Sequence, residues 1–363
     1  MVSFQTPDTK ILNSESHQPL LWGILHGLND FTAGFMLAHF TLNKNHDDGL
    51  LFIVIYSIIG FGGQLPIGFW LDHKKELKSF TTASVVLLPF AILAYFVHPE
   101  TGIILSGLAS AFIHVTGGTV CLQVHENKTG PLALFTAPGV LGLTLGGVFG
   151  YMNSGSLWLV LVSVCIVGYL IYRNSLPLYQ SHIKKESELD SHDLIMLSIL
   201  LIMCFRSFVF DIINQVSFDF ENGILILGIS AFAGKIIGGF VADRIGWKKF
   251  VYITLPLALL LFQFGKENIY ALAIGIACLQ SSVPITFLMI SRSLPLYPAT
   301  ATAFSLGTSI ALAGLPLYLI NDRNVIMENF NNKWITAVLF LFLLVGWVVA
   351  DRFLFRKKFT RSV

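Results

Sequence analysis

The sequence predicts an all-α integral membrane fold of twelve transmembrane helices arranged as two pseudo-symmetric six-helix bundles. Three observations carry this expectation. Hydrophobic residues make up 54% of the 363 positions and charged residues 12%, with 31 phenylalanines and 31 glycines, a profile outside that of water-soluble domains. Twelve apolar stretches approach or exceed the roughly 20 residues needed to cross a hydrocarbon core about 30 Å thick. Finally, a shift of 171 residues, from Phe61 to Phe232, lays part of the first half of the chain on the second.

In chain order the predicted spans are 19–41, 49–70, 80–97, 101–124, 131–153, 156–173, 193–214, 222–242, 249–264, 268–290, 298–320 and 333–353. The spans at 80–97, 156–173 and 249–264 are short, so they need little tilt or must extend into their loops. Residues 1–18 lack the pattern of a secretory signal and read as a cytoplasmic tail. The charged stretch 174–192, with "QSHIKKESELDSHD", reads as a cytoplasmic linker between bundles 19–173 and 193–353, and 354–363 as a second tail.

Of the 23 Lys and Arg residues, seventeen fall on the side holding both termini and every second loop, four on the other side, and Arg206 and Lys235 inside helices. That asymmetry places both termini in the cytoplasm of a protein multi-pass in the plasma (inner) membrane. It also accounts for the net charge of +2, so no nucleic-acid partner is implied. Cys121, Cys165, Cys204 and Cys278 lie at scattered helical positions, as packing thiols and not a disulfide or zinc framework. The chain has no Walker loop, no dinucleotide fingerprint and no His-Glu-x-x-His, so neither an enzyme nor a cofactor is expected.

The 171-residue shift sets "FGGQLPIGFWLDHKKELK" (61–78) on "FAGKIIGGFVADRIGWKK" (232–249), pairing Gly68 with Gly239, Asp72 with Asp243 and Lys78 with Lys249. A glycine one turn before a helix end lets a neighbouring helix approach closely. An aspartate at that end can accept from the positive N-terminus of a facing helix, while cations such as Lys74 and Arg244 answer carboxylates or lipid phosphates. Gly239, Asp243, Arg244 and Gly246 resemble the signature between helices 2 and 3 of major facilitator superfamily transporters, which recurs between helices 8 and 9. The first copy keeps Gly68 and Asp72 but carries His73 in place of Arg and Lys75 in place of Gly, a departure that argues against equal gating by both halves. The resemblance covers essentially the whole chain and implies the major facilitator fold and alternating-access transport.

An ionisable group at mid-bilayer costs about 2.5–3.5 kcal/mol on insertion scales, so each needs a partner or a cavity. In the first span, "HGLNDFTAGF" puts His26 and Asp30 one helical turn apart on a shared face, with Asn29 beside them. The fourth span carries His114 at matching depth, followed by Thr116, Gly117 and Gly118. Its "AFIH" and the "HGLND" of the first span are similar to segments of fosmidomycin-resistance-type efflux transporters, although Val115 and Thr116 stand where that branch has proline and an acidic residue. This shorter resemblance implies a proton-coupled exporter.

Aligning Phe31 with Phe208 sets Arg206 opposite Asn29, beside the level of Asp30, as a counter-ion or a clamp for an anionic solute group. Lys235 falls opposite Gln64, and the tenth span adds Gln280, Ser281 and Ser282 before Pro284 as a polar, kinkable patch. In the fifth span, Pro138, Gly139, Gly142, Gly146 and Gly147 loosely resemble the Gly-Pro motif of superfamily antiporters and allow bending against a helix of the other half.

The expected function is a secondary transporter of a small solute. Asp30, His26 and His114 would carry a coupling proton, Arg206 would be the counter-charge or clamp, and Asp72, Asp243 and Arg244 would form a cytoplasmic latch. Two alternatives stand beside it: a divalent-metal carrier ligating the ion through His26, Asp30 and His114, and a non-transporting membrane scaffold or sensor. The expected partners are the solute, protons and the lipid bilayer, with the chain acting as a monomer.

Overall fold

The computed structural model describes residues 17–43, 46–125, 127–152, 155–179, 191–265, 267–319, 341 and 346–348. Every regular element among them is helical. In order these are α1 (Gln18–Asn43), α2 (His46–Ser57, a π-helical turn Ile58–Gly62, then Gln64–Lys74), α3 (Leu77–Val97), α4 (Pro99–Val124), α5 (Gly130–Tyr151) and α6 (Leu157–Arg173). The second half supplies α7 (Ser191–Ser217), α8 (Gly223–Ile245), α9 (Trp247–Phe264), α10 (Ile269–Gln280, then Val283–Ser293) and α11 (Pro298–Ala303, a π-helical turn Phe304–Thr308, then Ser309–Leu319). The predicted tail, most of the predicted linker and most of the twelfth span lie outside the described residues.

Eight helical stretches among the described residues are long and apolar enough to cross a membrane. The first helix is not among them, although its 26 residues reach far enough. His26, Asn29 and Asp30 dilute its apolarity at the centre, and that dilution is itself the clue to the site below.

Local chemistry sets the helix ends. Proline opens α4, α5 and α11 in the first turn, where its missing N–H costs nothing. Asn268 caps α10, its side chain accepting from the amides of Tyr270 and Ala271 at 2.9 and 3.4 Å. Within α10 the helix breaks at Ser281 and Ser282, just before Pro284, as the sequence suggests. Both hydroxyls donate back to carbonyls of their own helix, Cys278 and Leu279, which leaves their oxygens only as acceptors.

At the end of α2, Lys75 adopts the left-handed conformation, φ 59°, where the equivalent Gly246 after α8 has φ 88°. The positive φ is kept without the glycine, but the turns differ, with ψ 22° at Lys75 and 129° at Gly246. A left-handed lysine costs about 1 kcal/mol relative to a residue lacking Cβ. Lys75→Gly is expected to raise the thermal midpoint slightly; a lower midpoint would contradict this account.

Two clusters of buried apolar side chains form the interior. One runs through α1 to α6, with Trp22, Leu25, Met36, Leu88, Ile92, Phe135 and Ile171 fully or nearly fully buried, and takes in Phe287 and Ala299 from the second half. The other joins α7 to α11 and includes Phe262, Ile276 and Trp347, the last stacked obliquely on Trp247. The site lies along the seam between them.

Candidate functional site

The centre of α1 is tied into the protein by its polar face. His26 Nδ1 lies 2.8 Å from the Phe135 carbonyl oxygen of α5, and His26 Nε2 lies 3.1 Å from Asp30 Oδ2. A carbonyl can only accept, so Nδ1 carries its hydrogen. The second contact is then a hydrogen bond when one proton lies between Nε2 and the carboxyl, as imidazolium with carboxylate or imidazole with carboxylic acid.

Asn29 donates its Nδ2 to Asp30 Oδ1 at 2.8 Å and to Ser110 Oγ at 3.1 Å. From α4, His114 Nδ1 meets the Ser110 carbonyl at 2.7 Å, which again fixes the hydrogen on Nδ1. Its Nε2 is aimed at Asp30 Oδ1 from 3.8 Å. The two imidazoles cross edge to face with centroids 4.3 Å apart. His26 and His114 are 4% and 3% exposed and Asn29 is fully buried. Sequence reasoning missed Ser110, although its place four residues before His114 signals a shared helical face. It also missed Tyr56, which packs from α2 beside Ser110 and Asp30.

Gly139 on α5 makes room for this group, since a Cβ there would overlap His26 Nε2 and stand 2.7 Å from Asp30 Oδ2. Gly142 lies against the Gly27 carbonyl oxygen, which any Cβ at that position would overlap. These glycines therefore lock α5 to α1 of the same half. The expectation that they meet a helix of the other half is corrected, and the reason is that the polar face of α1 needs a neighbour without side chains. The other face of α5, through Thr129, Ala133 and Thr136, is the one that meets α8.

Arg206 does not pair with Asp30. The guanidinium is 4% exposed, and its Nη1 donates to Thr286 Oγ1 of α10 at 2.6 Å. Among the described residues no carboxylate forms an ion pair with it, while Asp30 is satisfied by His26, Asn29 and the facing His114. Matching depth in pseudo-equivalent helices did not mean matching direction. Lys235 reaches across the seam from α8, donating to the Thr136 carbonyl of α5 at 3.2 Å, one turn before Gly139. It lies within electrostatic reach of Arg206, Asp30 and His114. Gln64, fully buried, turns its amide to the Gly60 carbonyl at 2.9 Å, and among the described residues its Oε1, beside Gly307 of α11, has no partner. Gln280 is also buried.

At the face carrying the basic loops, the two motif carboxylates do the same job in opposite directions. Asp72, at the end of α2, is 5% exposed and accepts from the amides of Ala299 (3.0 Å) and Thr300 (2.7 Å) and the Thr300 hydroxyl (2.6 Å), the first turn of α11. Asp243, at the end of α8, accepts from the amides of Thr129 (2.8 Å) and Gly130 (2.9 Å) and faces the Thr129 hydroxyl (2.7 Å), the start of α5. Each carboxylate satisfies orphan N–H groups and the positive end of a helix from the other half. A Cβ at Gly68 would stand 2.8 Å from the Ala299 carbonyl oxygen, and one at Gly239 would overlap the Ala133 Cβ, so both glycines set the close approach.

The copy that departs from the motif makes the more buried contact. Asp72 is also bonded by the Tyr179 hydroxyl, from the stretch after α6, and burial beside that carboxylate pushes the Tyr179 phenol far above its ordinary range. Tyr179 had no sequence signal. Lys74 and Arg244 are exposed and make no ion pair among the described residues.

No protein-family model matches the sequence, and no curated protein matches it. Solved structures are similar in fold. FucP, a major facilitator superfamily transporter in the outward conformation, superposes with TM-score 0.69 at 14% identity, over 93% of this chain and 98% of that one; a second structure describes it as the Escherichia coli fucose:proton symporter. A bacterial homologue of the iron transporter ferroportin, in an outward-facing state, gives 0.62 at 16% identity over 94% and 99%. The human organic anion transporter MFSD10 (TETRAN) gives 0.60 at 14% over 95% and 100%. The chain is thus a multi-pass membrane protein with the major facilitator fold.

Proposed function

We propose that the protein is a secondary transporter that moves a small solute by alternating access and couples it to protons at the His26–Asp30–His114 cluster. The observation that carries this reading is the buried contact of His26 with Asp30, faced by His114, in a bundle whose halves are capped onto each other at one face. A carboxyl that exchanges its proton changes the bonding of both histidines and the charge facing Lys235, which is what a coupling site needs. The capped face is the cytoplasmic one in this reading, and the short efflux resemblance favours export.

The test is uptake or release by proteoliposomes under an imposed pH gradient, across a panel of metabolites and drugs. Gradient-dependent flux supports the reading, and its absence for every solute that binds the protein would remove it. Gly139→Ala, whose new methyl would press between His26 and Asp30, is expected to lower proton-driven flux about tenfold or more while the protein stays folded. Flux unchanged in a folded Gly139→Ala protein would dissociate the pair from coupling.

Metal carriage is the lesser reading. The ligand atoms of His26, Asp30 and His114 lie within 4.8 Å of one another and suit a first-row ion by donor type. The positive charge of Lys235 within reach of the same carboxylate opposes a divalent cation there.

A further inference from the structure

The cationic side of the seam has no function in proton storage, and its chemistry is incomplete. Arg206 presents five N–H donors, yet the described residues supply one partner, the Thr286 hydroxyl. A guanidinium buried to 4% exposure without a carboxylate is costly unless an anion completes it. Among the described residues Lys235 has a single backbone carbonyl for its three ammonium donors. Asp30 offers it little compensation, because that carboxyl is already committed to His26 and Asn29. The two cations stand on α7 and α8, on the opposite side of the seam from the acid, with the buried amide of Gln280 on α10.

We propose that Arg206 and Lys235 form the binding site for an anionic head group that offers two or more oxygens, and that the transported solute is a small organic anion. This names the substrate class of the transport reading above and rests on it. Arg206 supplies the planar fork that matches two oxygens of such a head, with Thr286 holding Nη1 of the guanidinium. Lys235 supplies a point charge from α8 while remaining anchored to α5, so an anion seated between them contacts the second half and, through Lys235, feels the first. The two charges of the site are then segregated: the proton sits on α1 and α4, and the anion on α7 and α8.

The experiment is thermal unfolding of the purified full-length protein in detergent with four ligands sharing one apolar body: benzylphosphonate, phenylacetate, phenylacetamide and phenethylamine. The two anions are expected to raise the unfolding midpoint in a saturable way, and the neutral amide and the amine are not. Arg206→Gln and Lys235→Met are each expected to weaken the anions' apparent affinity about tenfold or more. If Arg206→Gln does not fold, Arg206→Lys is read in its place, with the same weakening expected from loss of the fork. Equal stabilisation by the amide, none by either anion, or full retention in a folded Arg206 variant would overturn the proposal. Anion binding without flux would remove the transport reading and leave the site; flux of neutral or cationic solutes alone would keep transport and remove the site.

Discussion

Asp30→Asn is expected to abolish pH-driven flux, by about 100-fold or more, in a protein that still folds and still exchanges solute across the membrane without a gradient. The stability half of this expectation follows from hydrogen-bond accounting. His26 Nδ1 is committed as a donor to the Phe135 carbonyl, so neutral His26 presents a lone pair at Nε2, 3.1 Å from the side chain at position 30. An asparagine there can donate its amide to that lone pair and accept at its oxygen from Asn29, so no buried group is orphaned. The coupling half follows from the same count. The wild-type pair can hold an exchangeable proton between imidazole and carboxyl, whereas the contact in the Asp30→Asn variant forms with His26 neutral and has no exchangeable charge. The cluster would be frozen in one protonation state. His114 Nε2, 3.8 Å away, would lose the carboxylate it faces. Measurement is by proteoliposome flux with and without an imposed gradient; full pH-driven transport by the variant would sink the assignment of Asp30.

The sequence carried the fold and one side of each contact, and the reason is physical. Apolar length and the Lys/Arg asymmetry are properties of single segments, so the helices could be placed within a few residues, α9 beginning at Trp247 where residue 249 was expected. The repeated Gly and Asp of 68/239 and 72/243 stood out because a motif at constant shift is visible in one chain. Their partners did not stand out, since Asp72 and Asp243 bind backbone amides at 299–300 and 129–130 and any residue type supplies an amide. Tyr179, one tyrosine in a polar stretch, was invisible for a related reason: only the fold brings it to Asp72. His26, Asp30 and His114 were legible from depth and four-residue spacing. Arg206 was legible as a buried charge, and of its two readings, counter-ion of Asp30 or clamp for a solute, the ion pair is not formed, because depth along a helix can be counted from sequence and azimuth between bundles cannot.

Asp72→Asn is expected to shift the protein from the state capped at the basic face toward the opposite one by on the order of 100-fold. The carboxylate is 5% exposed and accepts from two amides and two hydroxyls, those of Thr300 and Tyr179. Hydrogen bonds to a buried charged group contribute about 1.5–3 kcal/mol each, and a buried donor left unmet costs about 1–3 kcal/mol. An asparagine keeps one accepting oxygen and turns an amide toward donors on the other side, so about 3 kcal/mol is lost, close to two powers of ten in the conformational equilibrium. These contacts join the end of α2 to the start of α11 across the seam, so the loss falls on the capped state and spares the interior of either half. Asp243→Asn is expected to act in the same direction but only a few-fold, because Asp243 is exposed and its bonds compete with water. Tyr179→Phe removes one donor and leaves the amides satisfied, so its shift is expected to fall between the two. Spin labels at Ser79 and Arg292, exposed positions of opposite halves at the basic face, would report the distance distributions. A longer-distance population that grows in the order Asp243→Asn, Tyr179→Phe, Asp72→Asn is the expected result. Equal populations in wild type and Asp72→Asn would show that the capping carboxylate holds helix ends without deciding which face is open.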